Sequence, residues 1–133
     1  MENLDVMKLL RAAQVLGRSM SISLMYSGLR VPQFRLLDIL EGMGQATVTE
    51  MSEKLQVRRA TASILINELI KSGIVEVTEN ASDRRSFHVH LSQMGANKLE
   101  AARKDISVLR EKMSKNYSPE TIRMLNEFSE QVK

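Results

Sequence analysis

The stretch TVTEMSEKLQVRRATASILINELIKSG, residues 47–73, contains the pattern that decides the fold. Near its start, Met51 and Leu55 lie four residues apart, as they would on one face of a short helix. A tight break follows, and a second apolar stripe then predicts a longer helix from about residue 59 to 72. The inward-facing residues of this second helix are Ala62, Leu65, Ile66 and Leu69. Two helices joined by a tight turn indicate a helix-turn-helix unit.

Behind the second helix, the apolar pattern changes from helical spacing to strict alternation. Val75 and Val77 alternate with polar residues, and the same alternation runs through residues 87–91. Such alternation is typical of half-buried strands. Because the polar run 80–85 lies between the two strands, the sequence predicts a β-hairpin, or wing, at residues 74–91.

Amphipathic helices are predicted on both sides of this unit. Residues 4–26 form a broad apolar face, which suggests burial on two sides, including against a second subunit. Residues 94–116 carry a narrow stripe typical of helix–helix packing, and Ser118-Pro119-Glu120 starts a last helix over 119–132. Within the helix-turn-helix unit, Thr49 is the expected N-cap of the first helix. The predicted fold is mainly α (α+β), in one domain over residues 1–133.

Composition narrows the classes of function. The 133 residues include no cysteine, which excludes disulfides and cysteine-based zinc or redox sites. No run of eighteen apolar residues predicts a membrane span, and the acidic start Met1–Asp5 lacks the features of a secretory signal, so a cytoplasmic protein is expected. No catalytic triad spacing, phosphate-binding glycine loop or convincing metal cluster is visible. We therefore predict a protein that is not an enzyme and needs no cofactor.

Four segments resemble one known family. They are Val31–Leu37, Thr47–Leu55, Asn67–Val75, and Asp83-Arg84-Arg85 followed by Val89–Gly95. The last combines an acid-x-Arg turn with a strand and a Leu-Ser-x-x-Gly helix start. In these motifs the sequence resembles the MarR family of bacterial transcription regulators.

This resemblance implies a fold and a function. The winged helix-turn-helix would span residues 31–92, and residues 4–26 and 94–133 would form dimerisation helices. The resemblance implies a homodimer that binds double-stranded DNA at a near-palindromic operator and acts as a repressor. Most family members repress until a small apolar or phenolic effector releases them from DNA. Two residues depart from the family pattern: Arg58 replaces a serine cap, and Ile64 replaces a basic residue.

The outward face of the second helix is the first candidate DNA-binding surface. Its residues are Arg58, Arg59, Thr61, Ser63, Ile64 and Asn67. Polar side chains there can hydrogen-bond to base edges, and an aliphatic one can contact a thymine methyl group. The alternative is an ordinary solvated helix face, although such a face gains nothing from an exposed isoleucine. Arg58 and Arg59 are either phosphate contacts or two exposed arginines.

The wing tip is the second candidate surface. The resemblance implies that Arg85 enters the minor groove and that Asp83 orients it, with Arg84 beside them. A cation is attracted to a narrow minor groove by its enhanced negative potential. The alternative is a solvent-exposed turn with a weak Asp–Arg pair.

A small-molecule site is the third candidate, and its evidence is compositional. Nine methionines are present, and methionine suits adaptable apolar pockets, although it also simply fills cores. The candidate pocket residues are Met20, Met25, Tyr26, Arg30 and Met43. His88 and His90 share one strand face, but two such ligands make a thin metal site, so no metal is predicted.

A rival interpretation keeps the fold and changes the function. Residues 58–90 carry five basic and four acidic side chains, which is little positive charge for a DNA-binding surface. The chain would then be a winged-helix dimer that binds protein partners and lacks specific DNA binding.

Overall fold

A computed structural model describes residues 2–79 and 87–132. Its elements follow the predicted order. They are α1 (Val6–Ser23), a 3₁₀ turn (Met25–Ser27), α2 (Val31–Met43), α3 (Val48–Leu55), α4 (Arg59–Lys71), β1 (Val75–Glu79), β2 (Phe87–Leu91), α5 (Gln93–Ser114) and α6 (Pro119–Gln131). In the described ranges, no helix combines the length and apolar character needed to cross a membrane.

The first helix is shorter than the predicted span of 4–26. It ends at Ser23, and a separate 3₁₀ turn follows before Gly28, whose φ of 73° lies in the left-handed region. The hydroxyl of Ser27 donates to the carbonyl of Leu24 at 2.6 Å, which satisfies an acceptor that a continuing helix would have used. Leu24 is fully buried at this corner, so the chain turns where an apolar side chain enters the core.

The core forms around α2 and the helix-turn-helix. Residues that are essentially inaccessible to solvent come from nearly every element between α1 and α5; the largest are Leu24, Leu36, Leu37, Leu40, Met51, Ile66, Leu69, Val75, Val89 and Leu99. The predicted inward stripe of α4 is confirmed, because all four of its residues are buried. Burial of such side chains supplies the main favourable term in folding.

The hairpin is antiparallel and is joined to the helical core by a third short segment. Val77 pairs with Val89, and Glu76 pairs with His90. Ala46, just before α3, exchanges two backbone hydrogen bonds with Val89, at 3.0 and 2.8 Å. Strand β2 of the wing is therefore hydrogen-bonded directly to the segment before α3.

Arg103 links α5 to α2 through a charged cluster. Its guanidinium donates to Asp38 at 2.8 and 3.0 Å and to Glu41 at 2.9 Å. The hydrogen bonds to Glu41 and then Asp38 raise the pKa of Arg103 above its ordinary value. These hydrogen bonds hold the outer helix α5 against α2, which belongs to the core.

The N-cap of α3 is Thr47, so the prediction of Thr49 was wrong. The Thr47 hydroxyl accepts the N–H of Glu50 at 3.1 Å, and the Glu50 carboxylate accepts the N–H of Thr47 at 2.9 Å. This reciprocal pair is a capping box, which needs a Glu three residues after the cap; Thr47 has one and Thr49 does not. The hydrogen bond from the Thr47 backbone, followed by that from its side chain, lowers the pKa of Glu50.

We predict that Thr47→Ala lowers the free energy of unfolding by about 1 kcal/mol, because it removes one half of the capping box. Thr49→Ala is the matched control: its side chain is exposed within the first turn of α3, and alanine favours helix. Urea unfolding followed by circular dichroism measures both. Equal effects of the two substitutions would contradict the assignment of the cap.

Candidate nucleic-acid interface

A tight turn sets the angle between α3 and α4. Gln56 adopts a left-handed conformation with φ of 56°, and the N–H of Val57 returns to the carbonyl of Ser52 at 3.1 Å. At the other end of α4, the N–H of Ile74 bonds to the carbonyl of Leu69 at 2.9 Å. Because backbone hydrogen bonds hold the turn before α4 and the turn after it, α4 presents one defined face to solvent.

That face carries most of the residues predicted to contact DNA. Arg58, Arg59, Thr61 and Asn67 are exposed, and 61% of Ile64 is accessible. Ser63 was predicted to face outward with them, but it is half-buried, because it lies at the edge of the buried stripe. The structure therefore brings five of the six residues onto one open surface and places the sixth at its border.

The N-terminal end of α4 is electropositive. Arg58 is the N-cap residue, and its side chain accepts no hydrogen bond from the first turn, which also contains no acidic residue. The free N–H groups and the helix dipole therefore have no negative partner from the first turn. Together with the guanidinium groups of Arg58 and Arg59, this end suits a phosphate group.

The C-terminal half of α4 carries a polar contact that the sequence analysis missed. The carboxylate of Glu68 accepts a hydrogen bond from Arg30 and another, at 3.1 Å, from the side-chain amide of Gln33. Arg30 and Gln33 lie at the start of α2, 38 and 35 residues earlier in the chain. Only the fold brings them near Glu68, and no local spacing signals the contact.

The base of the wing is fixed by Ser92 and Gly95. The Ser92 hydroxyl donates to the carbonyl of Gly73 at 2.6 Å and accepts the N–H of Gly95 at 3.0 Å. A Cβ atom on Gly95 would lie 2.0 Å from the carbonyl oxygen of Ile74, so only glycine fits there. The wing-tip residues Asp83, Arg84 and Arg85 lie outside the described residues.

The two histidines of the wing are both half-buried. His90 contacts Glu76 at 3.2 Å and Thr78 at 2.8 Å across the hairpin. Among residues 2–79 and 87–132, no group of three His, Asp or Glu side chains is placed to hold a metal ion.

The five candidate pocket residues do not meet in one hollow. Met20 lines a hollow of about 410 Å³ between α1, α5 and α6, while Met25 and Arg30 line another beside the 3₁₀ turn. Tyr26 is fully exposed beside the start of α5, and Met43 packs on the core. The 3₁₀ turn separates them, because it redirects the chain between Met20 and Arg30.

The outer helices leave large apolar surfaces exposed. In the single described chain, neither α1 nor α6 has a buried residue. Their exposed apolar side chains include Val6, Met7, Leu10, Val15, Ile22, Met124, Leu125 and Phe128. Large exposed apolar surfaces of this kind are typical of interaction sites.

The sequence and the fold of this chain are similar to those of known proteins. A family model described as "MarR family" matches residues 27–86, from the end of the 3₁₀ turn to the wing. The predicted resemblance to the MarR family is confirmed. The HTH-type transcriptional regulator YsmB of Bacillus subtilis (strain 168) is 34% identical over 64 residues, which cover 48% of this chain and 44% of YsmB. The match thus spans under half the length of that relative.

Solved structures show that the likeness in fold extends beyond the wing. A MarR mutant from E. coli complexed with operator DNA has a TM-score of 0.84 at 21% identity, covering 93% of this chain and 90% of that chain. MOSR of M. tuberculosis in complex with DNA has a TM-score of 0.78 at 22% identity, covering 96% and 95%. These likenesses confirm the predicted fold class, a mainly α winged helix-turn-helix with outer helices at both ends.

We predict that Ser92→Ala lowers the free energy of unfolding by about 1–3 kcal/mol, because it removes a helix cap and leaves the part-buried carbonyl of Gly73 without the Ser92 hydroxyl. Ser92→Thr keeps the hydroxyl and is the matched control. Chemical denaturation of the three proteins provides the measurement. A Ser92→Ala protein as stable as Ser92→Thr would show that the junction does not depend on this hydroxyl.

Proposed function

We propose that this MarR-like chain is a sequence-specific DNA-binding transcription regulator that acts as a homodimer. The observation that carries the proposal is the outer face of α4, where an isoleucine that is 61% exposed stands among arginine, threonine and asparagine side chains. A helix face that contacts only solvent gains nothing from an exposed isoleucine. A helix face that enters the major groove does gain from it, because an aliphatic side chain can contact the methyl group of thymine.

Each exposed group on α4 has a defined chemical use in the major groove. Asn67 can form two hydrogen bonds with adenine, and Thr61 can donate or accept at a base edge, while Ser63 contributes from the border. Arg58 and Arg59 would contact phosphates, which positions the helix and does not itself read sequence. From the resemblance, Arg85 would enter the adjacent minor groove, oriented by Asp83.

The unburied outer helices support the homodimer. An amphipathic helix with no fully buried residue on its own chain gains much of its stability when another surface covers its apolar face. A second copy of the chain supplies the same apolar surface through two-fold symmetry. Two recognition helices would then lie about one DNA turn, roughly 34 Å, apart, which calls for a near-palindromic operator.

Repression and release by an effector complete the proposal. The hollow of about 410 Å³ next to Met20 falls in the size range of small-ligand pockets. It lies between helices of the proposed dimer region. A small apolar or phenolic molecule that binds one arrangement of the two winged units better than the other would shift DNA affinity.

The alternative is a dimer whose winged units bind proteins. The observation that favours it is the near balance of charge over residues 58–90, with five basic and four acidic side chains. Electrostatics supplies essentially all of non-specific DNA binding, so this alternative expects weak, sequence-blind association with DNA.

We predict specific, salt-dependent DNA binding by the wild-type protein. Selection from a random-sequence duplex pool identifies the preferred DNA, and titration at several salt concentrations gives the slope of log affinity against log salt. Arg58→Ala and Arg59→Ala should each reduce the steepness of that slope by about 0.9, since each removes one phosphate contact. Arg85→Ala should weaken binding as well.

Lys104→Ala is the charge-matched control for these variants. Lys104 is exposed on α5, where the one ion pair described for it is a 3.9 Å contact with Glu100. Its removal should leave the slope unchanged. If selection enriches no sequence above the random pool, regulation through specific DNA binding is excluded and the protein-binding alternative takes its place.

We predict that Leu125→Asp in α6 converts the dimer to a monomer, because it places a charge in the covered apolar face. Ile64→Asp is the control, an apolar side chain of similar exposure on α4, outside that face. Sedimentation equilibrium reports the mass of each protein. A wild-type protein that is monomeric at high concentration would refute the proposed dimer.

A further inference from the structure

Two kinds of contact hold α4 on the rest of the chain. The first is the buried stripe formed by Ala62, Leu65, Ile66 and Leu69. This stripe sets which side of α4 faces the core, but hydrophobic contacts are non-directional, so they define the exact rotation of the helix less sharply than hydrogen bonds do. The second is the polar contact at Glu68, and hydrogen bonds do depend on direction.

The polar contact is a closed set of three hydrogen bonds. Arg30 and Gln33 both donate to the same oxygen, Oε2 of Glu68, and the second of these contacts measures 3.1 Å. Gln33 in turn accepts the backbone N–H of Arg30 at 3.0 Å through its own side-chain oxygen. Each of the three residues is thus held by the other two. The hydrogen bond between Arg30 and Glu68 joins two charged groups, and such bonds are stronger than those between neutral groups.

Within the part of the chain that the structure describes, these are the side-chain hydrogen bonds that join α4 to another element. Glu68 follows Asn67 directly and lies one helical turn beyond Ile64. Any rotation of α4 that separates Glu68 from Arg30 therefore turns the proposed base-reading side chains by the same angle.

We propose that Glu68 is a positioning residue for DNA recognition, which acts through Arg30 and Gln33 to fix the rotation of α4. The inference rests on the proposed function, because it concerns how the same surface is aimed. Glu68 need not touch DNA to act in this way.

The effect on DNA binding is separable from folding. The side chains of Arg30 and Glu68 are 58% and 40% exposed, and exposed ion pairs contribute little to global stability. The buried stripe keeps α4 folded without them. Loss of the Arg30–Glu68 ion pair lowers the fraction of molecules in which α4 has the rotation that DNA binding requires. The apparent dissociation constant for DNA rises in proportion, by up to about fivefold.

The sign of the effect distinguishes positioning from simple electrostatics. Removing a carboxylate near DNA reduces repulsion and should strengthen binding. Loss of positioning should weaken it. Glu68→Ala therefore has opposite expected results under the two explanations.

The first test measures binding of the duplex recovered by selection. Glu68→Ala and Arg30→Met should each weaken binding about two- to fivefold. The double variant should bind no more weakly than Glu68→Ala alone, because Glu68→Ala already removes the hydrogen bond from Arg30. Glu53→Ala, which removes an exposed carboxylate from α3, is the matched control and should bind as tightly as wild type or more tightly. Arg30→Met tests the contact from α2, so the result does not depend on one variant.

The second test needs no DNA. Amide hydrogen exchange of the free proteins should be faster in α4 of Glu68→Ala than in wild type, at an unchanged melting temperature. Unchanged exchange, or binding by Glu68→Ala as tight as that of the Glu53→Ala control, would overturn the proposal. If wild type binds no duplex specifically, the proposed function fails on that result, while hydrogen exchange still decides whether Glu68 restrains α4.

Discussion

The structure depends on a close backbone contact where three elements meet. Gly95, in the first turn of α5, packs so tightly on Ile74 that a side chain at this position would overlap the carbonyl oxygen of Ile74. Ser92 bonds at the same place to Gly73, which ends the turn after α4. The end of α4, the beginning of the wing and the beginning of α5 are therefore one packed unit. Because no flexible linker separates them, movement of α5 must also move the proposed DNA-binding surface.

Helix α2 provides a second connection between the same regions. Arg103 of α5 binds Asp38 and Glu41 on α2, while Arg30 at the start of α2 binds Glu68 on α4. The buried leucines of α2 lie between these two polar contacts. One helix thus carries charged contacts to α5 near its C-terminal half and to α4 at its N-terminal end. Through these contacts, a movement of α5 can change the orientation of α4 by way of α2.

Much of this fold could be predicted from the sequence, because its elements follow local rules. The buried stripe of α4, the start of α2 at Val31-Pro32 and the alternating strands all depend on spacing along the chain. The break after Ser23 could not be predicted in this way, since it depends on Leu24 entering a core assembled from distant residues. The cap at Thr47 was predictable in principle, because Glu50 lies three residues later.

Some features of the candidate site were likewise predictable from local spacing, whereas others depend on residues far apart in the chain. The outer face of α4 follows from helical periodicity, apart from Ser63 at its edge. The contact between Arg30 and Glu68 joins residues 38 positions apart, and a single sequence gives no signal for such a pair. The grouping of Met20, Met25, Tyr26, Arg30 and Met43 relied on methionine content and on the dimer region of the resembled family. The 3₁₀ turn places these residues in separate surroundings in the single chain.

The absence of buried residues in α1 and α6 has a consequence for how the protein responds to its own abundance. In the proposed dimer, a large part of the helical structure gains its stability from association, so folding and assembly become one equilibrium governed by mass action. A twofold fall in total protein then lowers the population of dimers by more than twofold when the concentration is near the dissociation constant. Occupancy of a palindromic site would follow protein dosage more steeply than it would for a monomer with the same affinity.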